Sequence, residues 1–162
     1  HKKIAIHIKE KVVHLKEGFA APSLEIVSGS EKFSLKQLKG KYVYLCFFRT
    51  WDEDFVKDLE LIEIVSTKYK DELHVVCVGV DDDVKKFNEL KTQYDGQWTF
   101  VHYGFKDEVL QQYNIEEYRI DRYDISSVAK YYLIDPDGDM VFSPANSPGK
   151  GFHKDFQRII AQ

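Results

Sequence analysis

Lys41 to Tyr69 reads KYVYLCFFRTWDEDFVKDLELIEIVSTKY, and two apolar patterns within it decide the fold. Val43, Leu45, Phe47 and Phe48 lie in a short, almost unbroken apolar run, as expected for a parallel strand covered on both faces. The run stops at Arg49. After Thr50, Trp51, Asp52, Glu53 and Asp54, the apolar positions become Phe55, Leu59, Ile62, Val65 and Tyr69. Spacings of three and four place these on one face of a helix. A buried strand, a sharp turn and a long amphipathic helix follow in that order, which is a unit of an α/β fold.

The whole chain has 162 residues, 43% of them apolar and 14% aromatic, enough for one domain with a sizeable core. A formal charge of -4 with Lys and Arg scattered singly or in pairs argues against a nucleic-acid footprint, so no nucleic-acid partner is expected. No apolar run approaches the roughly 20 residues a bilayer span requires, so no transmembrane segment is expected in this chain. The chain opens on His1 without the cationic-then-apolar pattern of a signal peptide, and is read as a trimmed or mature fragment.

The turn between strand and helix, Phe47-Phe48-Arg49-Thr50-Trp51-Asp52-Glu53-Asp54-Phe55, resembles a known family at this point: the TlpA/ResA-like thiol-disulfide oxidoreductases, AhpC/TSA-related proteins of the bacterial cell envelope. That family runs an apolar strand into Phe-Trp-Ala-Thr-Trp-Cys-x-x-Cys. Here Asp52 stands where the attacking thiol would be and Phe55 where the resolving thiol would be. The resemblance implies the fold and, with both cysteines replaced, the loss of its usual dithiol chemistry.

Other stretches extend the resemblance over about Gly18 to Gln162, most weakly from Asp95 to Arg122. Gly18-Phe19-Ala20-Ala21-Pro22-Ser23-Leu24 is similar to the family's opening Gly-x-x-Ala-Pro-x-Phe, leading to a hairpin of Leu24 to Val27 and Glu31 to Phe33 around Ser28-Gly29-Ser30. Ser34 to Gln37 has capping-box spacing for one short helix, closed by Gly40. Tyr123 to Gly138, YDISSVAKYYLIDPDG, matches the family's Tyr-x-Val-x-x-x-Pro-Thr-x-Phe-Leu-Ile-Asp-x-x-Gly at both ends. In the middle, Ala129 and then Lys130 stand where the family has its cis-proline, the residue that faces the cysteines and shapes a groove for an extended peptide. A trans Val128-Ala129 bond is expected, because a non-proline cis bond costs about 2.5 to 4 kcal/mol.

Elsewhere the patterns predict a strand over Leu73 to Val80 and a helix with Val84, Phe87, Leu90 and Tyr94 on its inner face. A strand or extended loop over Trp98 to Tyr103 and a short helix over Asp107 to Tyr113 come next. Tyr131 to Ile134 and Met140 to Phe142 would form a hairpin, and Phe152 to Ile160 a closing helix. Lys2 to Lys9 alternates Ile4, Ile6 and Ile8, as an edge strand would. Residues 1-17 are read as an extension or remnant of a preceding region, and 18-162 as the domain. Ile115 to Arg122 reads as a charged insertion, either a solvated loop or a partner surface. Asp81 to Asp83 suit the start of a helix, where negative charge is stabilising, better than a metal site. Pro136-Asp137-Gly138 reads as a turn, since the spacing around it does not fit an EF-hand.

Cys46 and Cys77 sit inside apolar strands, where a free Cys behaves as a small hydrophobe; a disulfide between neighbouring strands is the other reading. The six His have no metal-ligand spacing, and there is no Gly-rich phosphate loop or nucleophile elbow. No cofactor or metal is expected. Asp52 to Asp54 suit a helix cap better than acid-base catalysis, with Thr50 to Glu53 also spaced as a capping box. The expected architecture is an α/β thioredoxin-like three-layer sandwich, a central mixed sheet flanked by helices, with an N-terminal β-hairpin. The candidate groove is Trp51, Asp52, Glu53, Val128, Ala129 and Lys130. By resemblance, the partner would be an extracytoplasmic protein or peptide, or another domain of the same protein, in the cell envelope or periplasm. The alternative is an active oxidoreductase or thiol peroxidase working through Cys46 or Cys77.

Overall fold

A computed structural model describes residues 15–28, 31–80, 83–94, 98–102 and 129–162. Strands β1 (Glu25–Ser28) and β2 (Glu31–Ser34) form an antiparallel hairpin. A single 3-10 turn, Leu35–Leu38, leads to β3 (Tyr42–Phe48), and helix α1 (Glu53–Lys68) follows. Next come β4 (Leu73–Gly79), α2 (Val84–Gln93) and β5 (Thr99–His102). The chain closes with β6 (Lys130–Ile134), β7 (Met140–Phe142), a 3-10 turn at Pro148–Lys150 and α3 (Phe152–Ile160).

The main sheet has the order β5-β4-β3-β6-β7. β3 runs parallel to β4, and β4 to β5, whereas β6 is antiparallel to β3 and to β7. Alternation along β3 gives each face its own core. Tyr44, Cys46 and Phe48 point to the helices, and Val43, Leu45 and Phe47 to the hairpin. Under the first face lie Phe55, Leu59, Ile62 and Val65 of α1, Phe87 and Leu90 of α2, and Phe152 and Phe156 of α3. Under the second lie Leu24, Ile26 and Phe33 of the hairpin segment. Each such fully buried side chain contributes about 1.5 to 3 kcal/mol of transfer free energy before entropy is subtracted. Ring stacking fixes the helices' positions on the sheet. Phe55 stacks on Phe48 at 4.3 Å, and Phe152 stacks on Tyr44 at 3.7 Å. The three layers are therefore helices, mixed sheet and hairpin, as the thioredoxin-like reading expected.

The hairpin extension is sewn to the sheet through its lead-in. Gly18 N-H donates to the Met140 carbonyl and Met140 N-H to that of Phe19, each at 2.8 Å, and Ala20 bridges to Asp139. The Pro-Asp-Gly turn forms as read. Gly138 takes a positive φ of 96°, and Asp135 Oδ1 accepts from the N-H groups of Asp137 and Asp139, both at 2.9 Å. Asp135 thus spends its carboxylate inside the turn.

The capping box at Ser34 does not form. Leu35–Leu38 is a 3-10 turn with no side-chain bond from its N-cap Ser34, because one tight turn offers too few amides for the reciprocal Ser-Gln pair. At α1 the cap is Asp52, while Thr50 is buried. The strand over Tyr42–Phe48 has a one-to-one register with β4 that sets Cys46 opposite Cys77, yet both are free thiols. The disulfide reading is therefore incorrect. The expected strand at Lys2 to Lys9, the helix at Asp107 to Tyr113, the loop at Ile115 to Arg122 and the geometry of the Val128-Ala129 bond lie outside the described residues.

Candidate functional site

Asp52 sits at the carboxyl end of β3, where the chain leaves the sheet and turns into α1. Its N-H donates to the Arg49 carbonyl at 3.0 Å, closing the turn, and its own carbonyl accepts the first helical bond from Val56 at 3.1 Å. With φ -79° and ψ 101° it has the extended backbone of an N-cap residue. Asp52 Oδ1 accepts from the N-H of Asp54 at 3.1 Å and of Phe55 at 3.2 Å. These are amides the first helical turn cannot satisfy itself. The sequence reading of Asp52 as a cap holds.

The second oxygen reaches across to the other landmark. Asp52 Oδ2 accepts from Ala129 N-H at 3.3 Å, 77 residues away in sequence. One carboxylate therefore ties the start of α1 to the residue that leads into β6. A proline at 129 has no N-H and could not take part.

The remaining groove residues are arranged around this tie. Lys130 begins β6 opposite Phe47. Trp51 is 60% exposed, with the Arg49 guanidinium 5.8 Å from its ring, and Glu53 is exposed in the first turn of α1. Phe55, by contrast, is 1% exposed and belongs to the core. The structure thus brings Asp52 and Ala129 into contact, sets Trp51 and Glu53 on the adjoining surface, and withdraws Phe55 from it. Val128 lies outside the described residues.

Sequence reading missed Asp58 and Tyr131. They stand behind the tie, Tyr131 two residues beyond Ala129, in β6, and Asp58 further along α1. Tyr131, buried beside the thiols, hydrogen-bonds the Asp58 carboxylate. Gly149 leaves room for that carboxylate, since a Cβ there would stand 3.0 Å from Asp58 Oδ1. The signal available was Asp58 itself, an acid near the inner stripe of an amphipathic helix. Its partner, more than 70 residues later, carried no mark in the sequence.

Partial burial, then repulsion from Asp54 and Asp52, raises the Asp58 pKa, against the pull of Tyr131 and Lys150. A carboxyl raised on folding holds its proton more tightly in the folded state than in the unfolded chain. The stability it contributes is full below the unfolded value and is lost as pH rises through the folded one. Asp58→Asn is expected to be slightly more stable than the parent at pH 7, by a few tenths of a kcal/mol because solvent screens the site. That advantage should shrink as pH falls through the carboxylate range. Denaturant midpoints of both proteins across pH 3 to 8 check it, and a difference independent of pH would contradict the assignment.

Cys46 and Cys77 lie under the helix layer at 0% exposure. Burial pushes the Cys46 thiol well above its usual range, reinforced by its contact with Cys77. Such thiols are poor nucleophiles. Among the described residues, no group of three or more His, Cys, Asp or Glu is placed to hold a metal ion.

No family model matches the chain. Among curated proteins it is similar to the thioredoxin-like protein YneN of Bacillus subtilis, 33% identical over 112 residues, a stretch that spans 67% of this chain and 65% of YneN, just under two thirds of that protein's length. It is also similar to the thiol-disulfide oxidoreductase ResA of the same organism, 26% identical over 149 residues, covering 90% of this chain and 76% of ResA. Among solved structures, the thioredoxin domain of a thiol-disulfide oxidoreductase from Bacteroides vulgatus superimposes with a TM-score of 0.72 at 18% identity, over 90% of this chain and 98% of that one. A thiol:disulfide interchange protein from a Bacteroides species gives 0.72 at 17%, over 92% and 93%. These two likenesses show the fold. By sequence the chain is similar to the thioredoxin-like protein YneN and to the thiol-disulfide oxidoreductase ResA, and its fold is thioredoxin-like.

Proposed function

We propose that this domain is a redox-inactive binding module, which uses the surface around Trp51, Asp52, Glu53, Ala129 and Lys130 to hold an extracytoplasmic protein or peptide, or another domain of its own chain, in the bacterial cell envelope. The observation that carries the reading is the double use of the Asp52 carboxylate, on the α1 amides and on Ala129 N-H. A side chain committed to three backbone donors has a structural task at the place where, by resemblance, the relatives keep a reactive sulfur. The exposed indole of Trp51 beside it offers a broad apolar contact with a polar edge, the kind of side chain that anchors protein interfaces.

Thiol chemistry supplies the test. Native protein should react with DTNB at least about a hundredfold more slowly than unfolded protein, since labelling of a fully buried thiol waits on opening of the structure. Denaturation should release two thiols, and the native protein should not accelerate insulin reduction by dithiothreitol. Rapid native labelling of Cys46 or Cys77, or insulin reduction above the background rate, would overturn the redox-inactive reading.

A further inference from the structure

At the opposite end of β3 from Asp52, the structure holds a pocket of about 250 Å3. Val43 to Phe48 spans about 17 Å of strand, so the pocket is separate from the surface described above. Its floor is apolar. Val43 and Ile134 form part of it, each almost fully buried, with Leu35 and Leu38 of the first 3-10 turn along one side. Backbone bonds hold its frame on three sides: Ala21 N-H to the Gly138 carbonyl at 2.9 Å, Gly40 N-H to that of Pro136 at 3.0 Å, and Leu35 N-H to that of Leu24 at 3.0 Å. A pocket whose walls are paired in this way exists before any ligand arrives, which lowers the ordering cost of binding.

The mouth is polar, and its formal charges balance, two lysines against two aspartates. Lys36 and Lys39 are exposed there, and neither ammonium is paired with a carboxylate among the described residues. The Lys39 stem lies along the turn, its Cε 3.4 Å from the place a Cβ on Gly138 would take. Two acids also line the site. Asp135 is turned inward to the N-H groups of Asp137 and Asp139, which leaves the exposed Asp137 against two lysines. With Asp135 engaged in the turn, the two lysine ammonium groups are the ones free to meet a negative head group.

We propose that this pocket is a binding site for a small amphiphilic carboxylate, its apolar body on Leu35, Leu38, Val43 and Ile134 and its anionic head between Lys36 and Lys39. The volume sets the size. An engineered cavity of about 150 Å3 accepts benzene, and pockets for drug-sized ligands begin near 300 Å3, so a single ring with a short chain or an acyl chain of about eight carbons fits. Rigid apolar walls reward the body, and a charge-assisted contact at the mouth selects the head group.

Titration of the 15N-labelled chain with octanoate, octanol and octylamine, followed by amide shifts, tests the proposal. Octanoate should produce saturable shifts at Leu35 to Lys39, Val43 and Ile134 with a Kd of about 1 mM, as ligand efficiency allows for ten heavy atoms. Octanol and octylamine should each bind at least about tenfold more weakly. The Lys36→Gln, Lys39→Gln double variant changes only exposed residues, so it should fold normally and weaken octanoate about tenfold. Leu38→Trp should abolish binding by filling the space, provided its spectrum remains dispersed. Absence of saturable shifts, equal binding of octylamine, an unchanged Kd in the lysine variant, or shifts centred on Trp51 and Ala129 would each overturn the proposal.

Discussion

Replacing Asp52 and Phe55 together by cysteine is expected to produce a protein that is strongly destabilised when reduced and regains part of the loss when oxidised. Phe55 is buried against Phe48 at 4.3 Å and also faces Tyr131 at 6.2 Å. Emptying a buried Phe site costs about 3 to 5 kcal/mol, and loss of the Asp52 cap together with its bond to Ala129 adds about 2 kcal/mol. The reduced double variant should therefore lie on the order of 6 kcal/mol below the parent, a large part of the 5 to 15 kcal/mol typical of a domain. The Asp52 side chain already reaches the Phe55 N-H, so the two new sulfurs should come within bonding reach across the first helical turn. A loop this short returns about 2 kcal/mol on closure. Urea midpoints with and without mild oxidation, together with thiol counts, read both steps.

The same variant is expected to turn over poorly as an oxidoreductase. The helix dipole would lower the pKa of a thiol at 52, while Glu53 and Asp54 would raise it through like-charge repulsion. By resemblance, the peptide groove also needs a proline where Ala129 stands. Insulin reduction should stay near background until Ala129→Pro is added. A folded double variant that cannot form its internal disulfide would show that Asp52 and Phe55 do not occupy the positions of the relatives' cysteines.

The contrast between what was legible and what was not follows the range of each interaction. The strand at Val43 to Phe48 and the face of α1 were readable because burial imprints a local period on the sequence. Phe152–Ile160 was found to the residue for the same reason. The turn at Pro136 to Gly138 was carried by residue types whose backbone preferences act over four residues. Capping was only half legible. Asp52 and Ser34 both had suitable chemistry and spacing, but whether an oxygen meets an amide depends on helix type, and Leu35–Leu38 is a 3-10 turn without a side-chain cap bond. The pairing of Asp58 with Tyr131 and the bond from Ala129 to Asp52 join segments more than 70 residues apart. No local pattern encodes them. In the sequence, replacement of a cysteine by Asp52 and of a proline by Ala129 read as two separate losses. In the structure Asp52 and Ala129 share one interaction, because the carboxylate needs a donor and only a residue other than proline supplies it.

That coupling makes a definite prediction for substitutions at 52. Asp52→Ala removes both the cap and the tie, and should cost about 2 kcal/mol, combining a lost N-cap with a lost hydrogen bond to a charged acceptor. Asp52→Asn separates the two. Asn caps helices about as well as Asp, so its single carbonyl oxygen can keep the Asp54 and Phe55 amides. Its NH2 group would then face Ala129 N-H, donor against donor, and the tie is lost. An intermediate cost of about 1 kcal/mol is expected, at the weaker end for such bonds because the contact is long at 3.3 Å. In an Ala129→Pro background the N-H is already absent, and Asp52→Asn should then cost close to nothing. Denaturant midpoints for the four proteins of this cycle give the coupling directly. Equal costs of Asp52→Asn in the two backgrounds would mean that the carboxylate serves α1 alone, and that positions 52 and 129 are independent after all.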